Sequence, residues 1–200
     1  MWLTQKHKPV KGKFYTQEKI VLGDKEACED ALSRVGTFSN VLREIRNELR
    51  RTFYEMYGDE ILGETVVDTI ARLNRDMERG RVWVEGRELC TDTGCTDLRR
   101  LYLVLDDYHR AIAERSKAVR HVMDMCRGVT PDRCKLEVAG LIGSASRLEE
   151  LGVNPKRAVA HIKKMALADD PALPEAVQRY IDMKVARGRL ISCARREYSI

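Results

Sequence analysis

Residues 98–125, LRRLYLVLDDYHRAIAERSKAVRHVMDM, decide the fold class. Leu98, Leu101, Leu105, Tyr108, Ile112, Val119 and Val122 fall at steps of three, four and seven, the spacing that keeps side chains on one face of a helix. The seam predicts a single helix of about thirty residues, roughly 45 Å long at 1.5 Å per residue, capped at its start by Thr96. An apolar stripe of that length needs a partner. The expected one is a helix over 37–57, packed antiparallel, although such stripes also serve self-association.

Upstream, Cys28, Leu32, Val35, Phe38, Leu42, Ile45, Leu49, Phe53 and Met56 repeat the helical spacing. Gly36 and Ser39 predict a break, giving a short helix followed by a long one that ends near Gly58. Leu62, Val66, Ile70, Leu73 and Met77 mark a third helix over 59–79, with Gly80 as its left-handed cap. Residues 81–90, RVWVEGRELC, carry the only β-forming cluster, Val82 to Val84, and Glu85-Gly86 fits a tight hairpin turn.

Beyond Gly128, the pairs Pro131-Asp132, Asn154-Pro155 and Leu173-Pro174 punctuate the chain as helix starts. They predict helices at about 131–151, 155–168 and 174–187, the last closed by Gly188. The expected fold is all-α, a long antiparallel helical hairpin or bundle with one small β-hairpin and a C-terminal three-helix unit. The domains would be a basic extended arm (1–23), the bundle (24–128, hairpin at 81–90), the C-terminal unit (130–188) and a loose basic tail (189–200).

Net charge is +5, with 24 Arg against 12 Lys. Arginine suits phosphate forks and ion-pair networks, but the bias also follows from a GC-rich genome or a hot habitat. The arm interleaves Lys6, His7, Lys8, Lys11, Lys13 and Lys19 with Trp2, Phe14 and Tyr15. With no signal-peptide pattern and no eighteen-residue apolar run, a cytoplasmic protein away from membranes is expected.

Six cysteines leave three readings open. A single zinc site built from Cys90, Cys95, Cys126 and Cys134 is disfavoured, because one straight helix would hold the two pairs about 45 Å apart. Each pair remains open to being buried thiols, local disulfides or metal ligands.

The window 147–164, RLEELGVNPKRAVAHIKK, has the layout of a helix-turn-helix. Gly152 is the turn glycine, Val153 the apolar plug, Asn154 the cap, and 155–164 the second helix. The run VNPKRAVAHI resembles the start of the recognition helix in quorum-sensing and response-regulator transcription activators, a resemblance that covers about a tenth of the chain. It departs from that pattern at Leu148, where a small residue is usual, and at Ala158, where a branched one is. The resemblance implies that Lys156, Arg157, His161, Lys163 and Lys164 face nucleic acid. On the 37–57 helix, Arg46 and Arg50 form a second basic stripe with Arg43 and Arg51, partly balanced by Glu44 and Glu48.

The sequence holds no nucleophile elbow, phosphate loop or dinucleotide fingerprint, and no Glu-x-x-His pair that would support a di-iron bundle. No enzyme, cofactor or metal is therefore expected. The expectation is a nucleic-acid-binding accessory protein, of the kind that viruses and mobile elements carry, acting as a homo-oligomer or within a larger assembly. The alternative is a non-catalytic structural subunit of a virion or complex.

Overall fold

A computed structural model describes the backbone of residues 8–198 and the side chains of residues 25–198. The described chain is mostly helical: α1 (Lys8–Tyr57), α2 (Val66–Glu78), α3 (Leu98–Met125), α4 (Lys135–Glu150), α5 (Ala158–Leu167) and α6 (Leu173–Glu197). A small antiparallel sheet, β1 (Trp83–Glu85), β2 (Glu88–Cys90) and β3 (Cys95–Asp97), lies between α2 and α3 in sequence. No described helix is long and apolar enough to cross a membrane.

Helix α1 corrects two expectations. From Lys8 the backbone of the expected extended arm is helical and continuous with α1; residues 1–7 and the side chains of the arm lie outside the described residues. The break expected at Gly36 and Ser39 does not occur. Gly36 is instead a contact position: a Cβ there would stand 2.6 Å from the Ala194 carbonyl oxygen and 2.8 Å from Tyr198 Cβ. The missing side chain lets α6 come close, which offsets the modest cost of glycine inside a helix.

The chain forms two compact units, one of residues 38–114 and one of the segments up to Thr37 and from Arg115 onward. This division cuts through α1 and α3 rather than falling at the turn near 128–130, because each long helix contributes to both cores. In the 38–114 unit, Leu42, Leu49, Phe53 and Met56 of α1 are buried with Leu73, Leu89, Leu101 and Tyr108. Thr65 opens α2 with a reciprocal capping box to Asp68. Gly80 takes the left-handed conformation that its position predicts, φ 68°. Leu62 and Met77, read as apolar-face positions, are exposed.

The hairpin expected at 81–90 forms, with Trp83 opposite Cys90 and Val84 opposite Leu89. Its turn is at Gly86-Arg87 and not at Glu85-Gly86, and Gly86 supplies a φ of 60°. A third strand was missed, because Thr96 read as a helix cap. Thr96 is buried in β3 and donates to the Glu55 carboxylate at 3.1 Å. The cap is Asp97, whose carboxylate accepts from the Arg99 backbone N–H at 2.7 Å. Thr91 and Thr93 both donate to the Met56 carbonyl, one of the unpaired acceptors at the end of α1.

In the other unit, Leu32, Val35, Val119, Val122, Leu141, Leu148, Val153, Met183 and Leu190 share one core. α4 begins at Lys135, four residues later than Pro131 implied. Asp132 is held by Lys25 at 2.8 Å, its backbone N–H donates to Glu29, and Cys134 sits at φ 55° before the first helical turn. α6 runs through Gly188 to Glu197. The segment read as a loose tail is therefore packed, with Leu190, Cys193 and Ala194 buried.

Candidate nucleic-acid interface

The segment from α4 to α5 follows the expected layout at its turn. α4 ends at Glu150, Gly152 takes φ 70°, and Val153 is 2% exposed, driven into the core beside Leu148. The Asn154 side chain accepts from the Lys156 backbone N–H at 2.9 Å. The second helix differs from the expected continuous run over 155–168. Pro155–Arg157 form a 3-10 turn before α5 begins at Ala158. Proline fixes the first φ and lacks the N–H that a helix start leaves unused, so this turn and its asparagine cap go together.

The seven residues nominated on the sequence fall in four environments. Arg157, Lys163 and Lys164 are exposed, and none has a carboxylate within 4.0 Å among the described residues. Lys156 is exposed but already paired, its Nζ 2.7 Å from an Asp124 carboxylate oxygen. His161 is half-buried and turned back on its own turn, where Nδ1 accepts from the Asn154 backbone N–H at 3.3 Å. Through that nitrogen it helps to close the turn.

Arg46 and Arg50 belong to the 38–114 unit, half-buried and exposed respectively, without an ion-pair partner among the described residues. Of the intrahelical pairs expected around them, Glu48 with Arg51 at 3.5 Å is present. The stronger use of Glu48 is across elements, accepting from Arg100 at 2.6 Å while Glu55 accepts from the same guanidinium at 2.8 Å. Arg100 holds the Glu48 carboxyl below its ordinary pKa, mainly through that hydrogen bond.

Two cavities flank the Pro155 turn and differ in charge. One, of about 500 Å³, is lined by Asp124, Arg127, Glu149 and Lys156, whose charges cancel in pairs: Lys156 with Asp124, and Arg127 with Glu149 at 2.7 Å. The other, between α5 and α6, is about 420 Å³. Lys156, Arg157, Lys163, Lys184 and Arg187 line it, and among the described residues no carboxylate does.

Lys184 and Arg187 were missed on the sequence. They stand on α6, about twenty residues beyond the end of the motif, in a stretch read only as helix; no local pattern could have found them.

All six cysteines are bridged. Cys90 joins Cys95 within the sheet, Cys28 joins Cys126, and Cys134 joins Cys193. The local pairing considered for Cys126 with Cys134 is therefore wrong. Glu88 and Glu137 lie close enough to two of the bridges to complete three-donor clusters, but a sulfur held in a disulfide is not the thiolate that a metal takes.

The chain matches no family model, no curated protein and no solved structure.

Proposed function

We propose that the protein binds the phosphate backbone of a polynucleotide through α5 and the 3-10 turn before it, as a helix-turn-helix would. The observation that carries this reading is the trio Arg157, Lys163 and Lys164. These are three exposed cations without acidic partners among the described residues, on the 3-10 turn and on α5, which are seated by the buried Val153 plug and the Asn154 cap. Arg and Lys in such positions release counterions from the duplex on binding, so affinity falls with the logarithm of salt. Arg46 and Arg50 would add a contact that follows the backbone without reading bases.

The test is anisotropy of labelled duplex and single-stranded DNA across about 50 to 300 mM salt, with an Arg157→Ala, Lys163→Ala variant alongside. A linear fall of log affinity with log salt, shallower in the variant, supports the reading. Absence of binding by either strand type at the lowest salt ends it.

A second reading, assembly from copies of this chain, draws on the outer face of α6. Val177, Ile181 and Val185 are exposed at i, i+4 and i+8. A monomer by light scattering at high concentration would remove it.

The finer fold reading, an antiparallel pair of long helices, draws support from Glu48 and Glu55 both reaching Arg100, and from Glu55 also meeting Thr96. A cytoplasmic location is compatible with three disulfides where the cytosol tolerates them, as in hyperthermophiles.

A further inference from the structure

Arg187 is half-buried in the groove between α5 and α6, whereas the other cations that line it are exposed. Its guanidinium donates to Ser116 Oγ at 2.9 Å, and no carboxylate lies within 4.0 Å of it among the described residues. A guanidinium has five N–H donors in a rigid fork, and a half-buried one costs stability while its charge is uncompensated. Burial is the main cause that pulls its pKa below the ordinary arginine value, and the Arg120 charge adds to the effect. Arg120 lines a smaller adjoining cavity of about 80 Å³ together with Arg187, Ser116 and Lys156.

Around this fork the groove is shaped for one kind of guest. Lys163 comes from α5 and Lys184 from α6, both exposed and without acidic partners among the described residues. Val159, Tyr180 and Met183 line the same groove and give it an apolar wall. Cations concentrated in a concave site with apolar lining fit a tetrahedral anion carried on an organic body, and the volume is in the range of small-ligand pockets.

We propose that the α5–α6 groove is a phosphoryl-binding site in which Arg187, steadied by Ser116, forks onto two oxygens while Lys163 and Lys184 approach from the two helices. That the phosphoryl group belongs to a polynucleotide rests on the function proposed above; the site itself does not. Arginine held by a neighbour loses less freedom on binding than a loose lysine, so Arg187 carries most of the selectivity for phosphate.

The experiment titrates inorganic phosphate into the full chain at constant ionic strength, with chloride as the control anion, and follows both unfolding midpoint and displacement of a labelled oligonucleotide. Phosphate is expected to raise the midpoint beyond chloride, and Arg187→Gln to weaken phosphate binding by about tenfold, the loss of a charge-assisted bond. Because Arg187→Gln can disturb packing, a Lys163→Gln, Lys184→Gln variant at two exposed positions gives an independent reading, expected to be several-fold weaker.

No phosphate effect beyond chloride in the natural protein overturns the site, as does unchanged phosphate binding in both variants. Phosphate binding without any oligonucleotide binding supports the site and removes the polynucleotide. Oligonucleotide binding that neither phosphate nor Arg187→Gln weakens keeps the polynucleotide reading but overturns its placement in this groove, while the site itself stands or falls on the phosphate titration.

Discussion

Cys28, in α1, and Cys126, one residue past the end of α3, are joined by a disulfide across 98 residues of sequence, both ends buried in the same core. A bridge closing a loop of that length removes much of the unfolded chain's freedom, about 4.7 kcal/mol for a 100-residue loop in the chain-entropy model. Cys134 and Cys193 close a separate loop of 59 residues, whereas Cys90 and Cys95 are only 5 apart. Replacing Cys28 and Cys126 together with serine should cost roughly 3 to 5 kcal/mol, and replacing Cys90 and Cys95 about 2. Denaturant unfolding with and without reductant checks this. Identical midpoints in both conditions would show that the long bridge contributes nothing.

The glycines divide into two classes with opposite expected outcomes. At Gly94 an added Cβ would meet the Glu55 carbonyl oxygen at 2.1 Å, and at Gly36 the Ala194 carbonyl oxygen at 2.6 Å. Both neighbours are backbone, so Gly94→Ala and Gly36→Ala should each destabilise by about 2 kcal/mol or more, through overpacking. Gly140 and Gly143, inside α4, have open space around them. Alanine at either should stabilise by roughly 0.5 to 1 kcal/mol by restricting the unfolded chain. Thermal unfolding of the four variants separates the classes, and a loss at Gly140 would contradict the open surroundings.

These glycines also show what could be read from the chain alone. The helical stripes of α1, α2 and α3 were legible because apolar spacing reports a face directly. Gly36 was misread as a break because a glycine that admits a neighbouring helix looks, in sequence, like one that ends its own. Thr96 was misread for a similar reason: a threonine before a helix reads as a cap until a partner 41 residues away, Glu55, claims its hydroxyl. In the candidate interface, the turn of Gly152, Val153 and Asn154 was legible because its chemistry is local. Arg187 was not, since only tertiary packing of α6 against α5 and α3 gives it a meaning. The pairing of Cys28 with Cys126 is likewise long-range, and spacing favoured the wrong neighbour.

The alkaline limb of stability should bend at Tyr57. Its hydroxyl is buried and donates to Asp76 at 3.3 Å, and burial, reinforced by the Asp76 charge, pushes its pKa up to about 12 from the ordinary value of 10.0. The folded protein thus keeps a proton that the unfolded chain releases, so this contribution is complete below pH 10 and is lost as pH rises towards about 12. Tyr198 acts in the same direction, raised mainly by burial and by its bond to Glu29. Stability measured by denaturant from pH 8 to 11 should decline above about 10, less steeply in Tyr57→Phe. A flat profile in the natural protein would contradict both shifts.

At the acid end the sign reverses. Arg72 holds the Glu64 carboxyl low and Lys25 holds that of Asp132 low, each chiefly through a hydrogen bond. Stability from these pairs is present above the ordinary carboxylate range and is lost as pH falls through the lowered values. Asp132→Asn should flatten the acid limb, and added salt should do so as well, because the pair is exposed. An acid limb unchanged by either would assign the loss to other carboxylates.

Lys156 and Asp124 give the sharpest handle on the polynucleotide reading. Their contact at 2.7 Å neutralises the one lysine at the mouth of both cavities, so Lys156 contributes less to an anion than Arg157 beside it. Lys156→Ala should therefore weaken oligonucleotide binding less than Arg157→Ala does. Asp124→Asn should strengthen it, because the freed ammonium can neutralise one more phosphate, adding about 0.9 to the magnitude of the salt slope on duplex DNA. Affinity measured across salt for the three variants decides the matter. A stronger, more salt-sensitive Asp124→Asn places the phosphate at this turn, whereas three variants indistinguishable from the natural protein would put it elsewhere on the molecule.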